Sequence, residues 1–204
     1  KRQKVLAGEV VAMSVDWEHI PAKHRQLIKA FLDEADMSAD AIKTVDFPPV
    51  YGVDIVVSCE KAKDPKNGSI YLKPTQFVLG IGCRRDTAFE NIDRAIRQSL
   101  LKLQIDISDI DMIASIDVKK DEPGIKEFCD RNRIEFVTYT ADELMAVQGE
   151  FSASQFVREH VGVDNVCERA AVLACSRECN KAGELIYKKH KYDRVTVAAA
   201  RYPD

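Results

Sequence analysis

Several signatures are missing from this 204-residue sequence, and each absence removes a class of function. The six cysteines, at 59, 83, 129, 167, 175 and 179, form no C-x-x-C. Zinc ribbons and thioredoxin-type redox sites are therefore unsupported, and no metal site is evident. No G-x-S-x-G occurs, so there is no nucleophile elbow. The four histidines, at 19, 24, 160 and 190, lie in polar settings and lend little to a nucleophilic triad. Long apolar runs are lacking: stretches such as 77–79 and 170–175 fall far short of the roughly 18 residues a membrane span needs. A basic surplus is lacking too, in residues 1–75 and in the remainder alike. Phosphate backbones demand such a surplus, so nucleic acid is not an expected partner. The short run from Lys188 to Lys191 reads as a solvated turn. No apolar stretch follows Lys1, Arg2, Gln3 and Lys4, as a signal peptide would require. Without an initiating Met, the expectation is a piece of a longer chain or a processed one. The cysteines read as buried free thiols in a reducing cytoplasm.

What is present describes an ordinary globular protein, with 46% apolar residues, 31% charged residues and a net charge of -3. The length suits one large or two small domains. Residues 9–15, 53–58 and 69–72 read as strands, and 22–35 as a helix with Leu27, Ile28, Phe31 and Leu32 on one face. Pro74 punctuates the chain, and a boundary is expected near 75. Beyond it, 77–81 and 112–116 read as strands covered on both faces, and 134–139 as a third. Thr87–Glu90, Thr140–Glu143 and Ser152–Gln155 match capping boxes that open helices. Phe89, Ile92, Ile96, Leu100 and Leu103 supply the stripe of the first. Pro123 suits the first position of another helix, ending near 131. Residues 165–179 form a small-residue helix, and 184–188 with 194–200 a hairpin. The expected fold is a three-layer α/β/α domain with a mixed, mainly parallel sheet and a C-terminal β-hairpin (76–204), preceded by a smaller α/β region (1–75).

Chemistry concentrates beyond the ends of the parallel strands, where open α/β sheets bind ligands. Residues 80–87, Gly-Ile-Gly-Cys-Arg-Arg-Asp-Thr, run from a strand into a helix. Gly80 and Gly82 permit close backbone approach, the helix start favours anions, and Arg84 and Arg85 add charge. Arg85 stands where a dinucleotide fingerprint has its third glycine, and no G-K-[ST] follows, so neither that fingerprint nor a P-loop applies. Cys83 is either an activated thiolate or a small packing residue. On the same rim, Ser115, Lys119 and Glu122 offer a hydroxyl, an ammonium and a carboxylate; Glu122 either does acid–base work or caps the next helix. Ser152 reads as a cap. Glu168, in the first turn of the alanine-rich helix, either complements the dipole or lines the rim.

Five segments in order resemble one family: Leu-Gly-Ile-Gly-Cys-Arg at 79–84, Ala-Ser-Ile-Asp-Val-Lys-Lys-Asp-Glu at 114–122, Ala-Asp-Glu-Leu at 141–144, Val-Gly-Val at 161–163 with Cys-Glu-Arg-Ala-Ala at 167–171, and Arg-Val-Thr-Val-Ala-Ala-Ala-Arg at 194–201. The order is that of the C-terminal domain of the CbiG family, which is similar to the free-standing CobE. Residues 1–75 resemble the family's middle region. The resemblance implies cobalamin biosynthesis, with cobalt-precorrin-5A hydrolase activity. That reaction opens the δ-lactone of cobalt-precorrin-5A, releases acetaldehyde and leaves cobalt-precorrin-5B. Cobalt comes with the tetrapyrrole, and no further cofactor is implied. On this reading Gly80, Gly82, Cys83, Arg84, Ser115 and Ser152 bind substrate, Lys119 is a second donor, and Glu122 or Glu168 is the base. The family's N-terminal Gly-, His- and Asn-rich motif is not in this sequence. The alternatives are a non-catalytic tetrapyrrole-binding module of the CobE type, a piece whose N-terminal domain is supplied separately, and a scaffold for other cobalamin-pathway enzymes.

Overall fold

The computed structural model describes residues 10–36, 42–49, 53–59, 69–152, 163, 165–179 and 181–203. The chain divides into two units, Lys1–Pro74 and Thr75–Pro203.

The first unit holds β1 (Val11–Val15), α1 (Ala22–Asp36), β2 (Ile42–Val45), β3 (Ile55–Val57) and β4 (Ile70–Leu72). Its strands are parallel, in the order β2-β1-β3-β4. Met13, Val15, Ile20 and Val57 form its core, and Ile28 and Leu32 of α1 pack against them. The expected apolar face of α1 is corrected here: Leu27 and Phe31 are exposed. β2 escaped the sequence reading because it is only four residues long, too short for an alternating pattern to stand out, and Ile42 is its one residue packed against the core.

The second unit carries β5 (Phe77–Cys83), α2 (Phe89–Leu103), β6 (Ile110–Ile116), α3 (Pro123–Asn132), β7 (Glu135–Tyr139), α4 (Ala141–Ala146), α5 (Val166–Cys179), β8 (Glu184–Lys191) and β9 (Val195–Arg201). The sheet order is β7-β6-β5-β9-β8. β5, β6 and β7 are mutually parallel, and the β8–β9 hairpin joins β5 antiparallel through β9. Successive residues of a strand face opposite sides of the sheet. Leu79, Ile81, Ile113 and Val197 accordingly meet Ile92, Ile96, Ile125 and Phe128 of α2 and α3. Val78, Met112, Ala114 and Ala200 meet Ala170, Ala171 and Ala174 of α5 and Leu144 of α4. Helices thus cover both faces, which is why the first five residues of β5 are all buried apolar residues or glycine. This is the expected three-layer architecture.

The helix starts differ in detail. Pro123 occupies the first turn of α3, and the Thr140–Glu143 box opens α4 as expected. The Thr87 box does not form: Ala88 precedes α2 and makes no side-chain cap. The Thr87 hydroxyl instead donates to the Arg84 carbonyl at 2.6 Å, closing the turn before the helix. The Ser152 box falls on 153–155, outside the described residues.

Candidate functional site

The parallel strands β5, β6 and β7 end at one edge of the sheet, and most of the residues singled out in the sequence lie along it. On the α2/α3 face, Cys83 closes β5 and the turn 84–87 follows. The Arg84 amide donates to the Arg194 carbonyl at 3.0 Å, and Arg194 donates back to the Arg85 carbonyl at 3.0 Å. The β8–β9 turn therefore braces this loop. Arg84 and Arg85 are exposed. Asp86, with φ of 54°, supplies the left-handed residue that ends the turn.

From the next connection, Glu122 reaches the same loop. Its Oε1 accepts the Thr87 N–H at 3.1 Å and its Oε2 pairs with Lys119 Nζ at 3.0 Å. Gly124 packs against the Thr87 carbonyl, where a Cβ would overlap. The start of α2 is thus covered by the chain itself, and the carboxylate beside it is Glu122. Glu122 precedes α3 but makes no cap bond to it, so the capping alternative is corrected.

Cys83 is half-buried in this cluster. Burial pushes its thiol up to about 11; Lys119 pulls it down and Glu122 pushes it up, both more weakly. That direction runs against the activated-thiolate alternative and favours the packing one. At about pH 8, alkylation of Cys83 by iodoacetamide is expected more than tenfold slower than that of a free cysteine. Peptide mass spectrometry of timed samples checks this, and a rate equal to the free amino acid would refute it.

Three other sequence candidates do packing work. Gly80 lies beneath α5, where a Cβ would overlap the Cys167 carbonyl oxygen. Ser115 is fully buried and donates to the Ile81 carbonyl at 2.7 Å, tying β6 to β5. Gly82 faces Thr196, whose hydroxyl donates to the Gly82 carbonyl at 3.2 Å.

Glu168 is enclosed on the α5 face. Its carboxylate accepts the Ser152 N–H and hydroxyl, both at 2.8 Å, and the Lys189 N–H at 2.6 Å. Asn165, just before α5, accepts the Glu168 N–H at 3.0 Å and donates to the Ser152 carbonyl at 2.8 Å. Ser152 and Glu168 are therefore mutual partners, and the carboxylate expected as a base is held in a structural tie. Arg169 completes the segment by donating to the Leu144 and Val147 carbonyls at the end of α4.

Burial pushes the Glu168 carboxyl up, but the donors from Lys189, Ser152 and Asn165 outweigh it and hold the group below its ordinary range. A carboxyl lowered on folding stabilises the fold above its unfolded-state value of about 4.3. That contribution is lost as pH falls through the lowered folded value. Between about pH 6 and pH 3 the wild type should lose more stability than Glu168→Gln. Thermal melts across that range check it, and parallel curves would contradict the tie.

The sequence reading missed Thr87 as a donor to Glu122 and Arg194 as a brace. It also missed a polar group at the corresponding edge of the first unit's sheet. There Asp16, buried at the end of β1, sits 2.9 Å from His19 Nδ1 and accepts the Ser58 hydroxyl at 3.1 Å. An aspartate directly after an apolar strand was the available signal. Among the described residues, no group of three or more His, Cys, Asp or Glu is placed to hold a metal ion. An open groove of about 390 Å³ runs along the second half of α5, past Val172, Leu173 and Ser176, and includes none of the rim residues.

The second unit is thus an open-sheet α/β protein that presents arginine and lysine beyond its parallel strand ends. Residues 77–200 match the family described as Cobalamin synthesis G C-terminus, and the chain belongs to that family. It is 38% identical over 102 residues to the cobalt-precorrin-5A hydrolase of Salmonella typhimurium, covering 50% of this chain and 29% of that one. It is 32% identical over 137 residues to the probable cobalt-precorrin-5A hydrolase of Methanocaldococcus jannaschii, covering 65% and 42% respectively. The chain therefore spans less than half the length of these relatives. The crystal structure of CobE, a protein from the cobalamin biosynthetic pathway, superposes with a TM-score of 0.58 at 26% identity, over 61% of this chain and 89% of CobE.

Proposed function

We propose that this chain is the tetrapyrrole-holding part of a cobalt-precorrin-5A hydrolase in cobalamin biosynthesis. One observation carries the reading: within the family-matched segment, Arg84, Arg85, Arg194 and Lys119 are gathered at the strand ends by backbone and carboxylate ties. The substrate is a large ring edged with acetate and propionate carboxylates. Guanidinium groups hold carboxylates with paired donors, and an ammonium adds a point charge.

Lactone opening places negative charge on the carbonyl oxygen as water attacks. Fixed cations near that oxygen lower the barrier. In this reading Arg84 binds a peripheral carboxylate, and Lys119 faces a carboxylate or the developing oxyanion. Cobalt enters as part of the substrate. Residues 1–75 correspond to the family's middle region, and the reaction is cytoplasmic, in keeping with six free thiols. Among the described residues, no helix is long and apolar enough to cross a membrane.

The test is incubation of the 204-residue chain with cobalt-precorrin-5A and an assay for acetaldehyde. Release would put the catalytic groups within this chain. Tetrapyrrole binding without release would favour the binding-module reading, with the chemistry supplied by another domain.

A further inference from the structure

Glu122 stands just before α3, yet its side chain serves a different connection. One oxygen takes the Thr87 N–H at 3.1 Å and the other the Lys119 ammonium at 3.0 Å. Its side chain is 5% exposed and that of Lys119 14%. The Glu122 N–H donates to the Lys119 carbonyl at 3.0 Å, so one tight turn holds both ends of the pair. Pro123 restrains the backbone that follows. Gly124 locks the same turn against the Thr87 carbonyl. Two β–α connections are thereby joined through one carboxylate.

We propose that Glu122 is a positioning residue of this rim and not its base. It fills the anion position beside the start of α2, and it fixes Lys119 and the 84–87 turn as the parts that meet a ligand carboxylate. A general base needs reach to a water at the ligand. Both Glu122 oxygens are engaged by donors of the chain itself in a nearly closed site. The helix start, which sequence alone marks as the anion site, is served internally. Specificity for carboxylates then passes to Lys119 and Arg84. This inference rests on the reading that the rim binds a carboxylated tetrapyrrole.

A double-variant cycle tests it on the full chain with cobalt-precorrin-5A. Glu122→Gln keeps an oxygen for the Thr87 N–H, so the turn folds, but removes the charge facing Lys119. It should weaken binding about fivefold, and Lys119→Met about tenfold or more. The double variant should bind no more weakly than Lys119→Met alone, because Glu122 acts through Lys119. Fully additive losses would overturn the proposal, as would unchanged affinity with abolished acetaldehyde release in Glu122→Gln. If the wild type has no affinity for the tetrapyrrole, the functional reading fails, and a second measurement decides this inference. Trace acylation by acetic anhydride, read by peptide mass spectrometry, should modify Lys119 several-fold faster in Glu122→Gln. Equal rates would overturn it.

Discussion

Replacing Gly80 with alanine is expected to cost the second unit about 3–5 kcal/mol, above the roughly 1–3 kcal/mol usual for overpacking, because the clash is with backbone. Gly80 lies in the middle of β5, paired with Ala114 and Ala198 on the neighbouring strands. A Cβ there overlaps the Cys167 carbonyl oxygen and comes 2.7 Å from its carbon and 3.1 Å from the Ala171 Cβ. These are backbone and short side-chain atoms with no rotamer to yield. The first turn of α5 cannot lift freely either, because Glu168 is tied to Ser152 and Lys189. Gly82→Ala is the contrast. Its Cβ would meet only the Thr196 Oγ1, at 2.7 Å, and that hydroxyl turns by rotating one bond. A loss of about 1 kcal/mol is expected there. For a unit of this size the first change should lower the melting temperature by about ten degrees or more. Urea titrations of both variants check the pair. Equal, small losses would contradict the close seat of α5 on β5.

Replacing Arg84 with alanine is expected to weaken tetrapyrrole binding about 10- to 100-fold, the size of one charge-assisted, paired hydrogen bond. Stability should stay within about 0.5 kcal/mol, because the fold uses the backbone of Arg84, through its bonds with Arg194 and Thr87, and leaves the residue exposed. Arg84→Lys should recover the loss only in part, since an ammonium lacks the planar fork. The loss should also shrink as salt is raised, because the charge is exposed. Calorimetric titration at two ionic strengths reads all three expectations. Unchanged affinity in a folded Arg84→Ala sample would remove Arg84 from the site.

The architecture of the second unit was legible because its signals are periodic. Continuous apolar strands, the Ile92–Ile96–Leu100 stripe and the Ala170–Ala174 face each point to one partner surface. The residue types of the rim were legible too, as glycines and arginines after a buried strand. The partners of those residues were not. That Glu122 reaches Thr87, 35 positions away, depends on how two connections meet, which no local pattern encodes. The same holds for Glu168: its place in the first turn of a helix favours the dipole reading over the rim, but it does not name Ser152 and Lys189 as the partners that surround it. Thr87 looked like a cap because its spacing to Glu90 is right. The geometry instead gives its N–H to a distant carboxylate and its hydroxyl to the turn. In the first unit, half of the α1 stripe is exposed, because amphipathic spacing says which residues share a face and not how wide the covering surface is.

The most direct test of the account is an equilibrium titration of the folded 204-residue chain with cobalt-precorrin-5A, followed by the Corrin-type absorbance of the bound ring. The account predicts saturable binding that weakens with salt and with loss of Arg84. A folded chain that shows no binding at any attainable concentration would contradict it, and would leave the scaffold reading in its place.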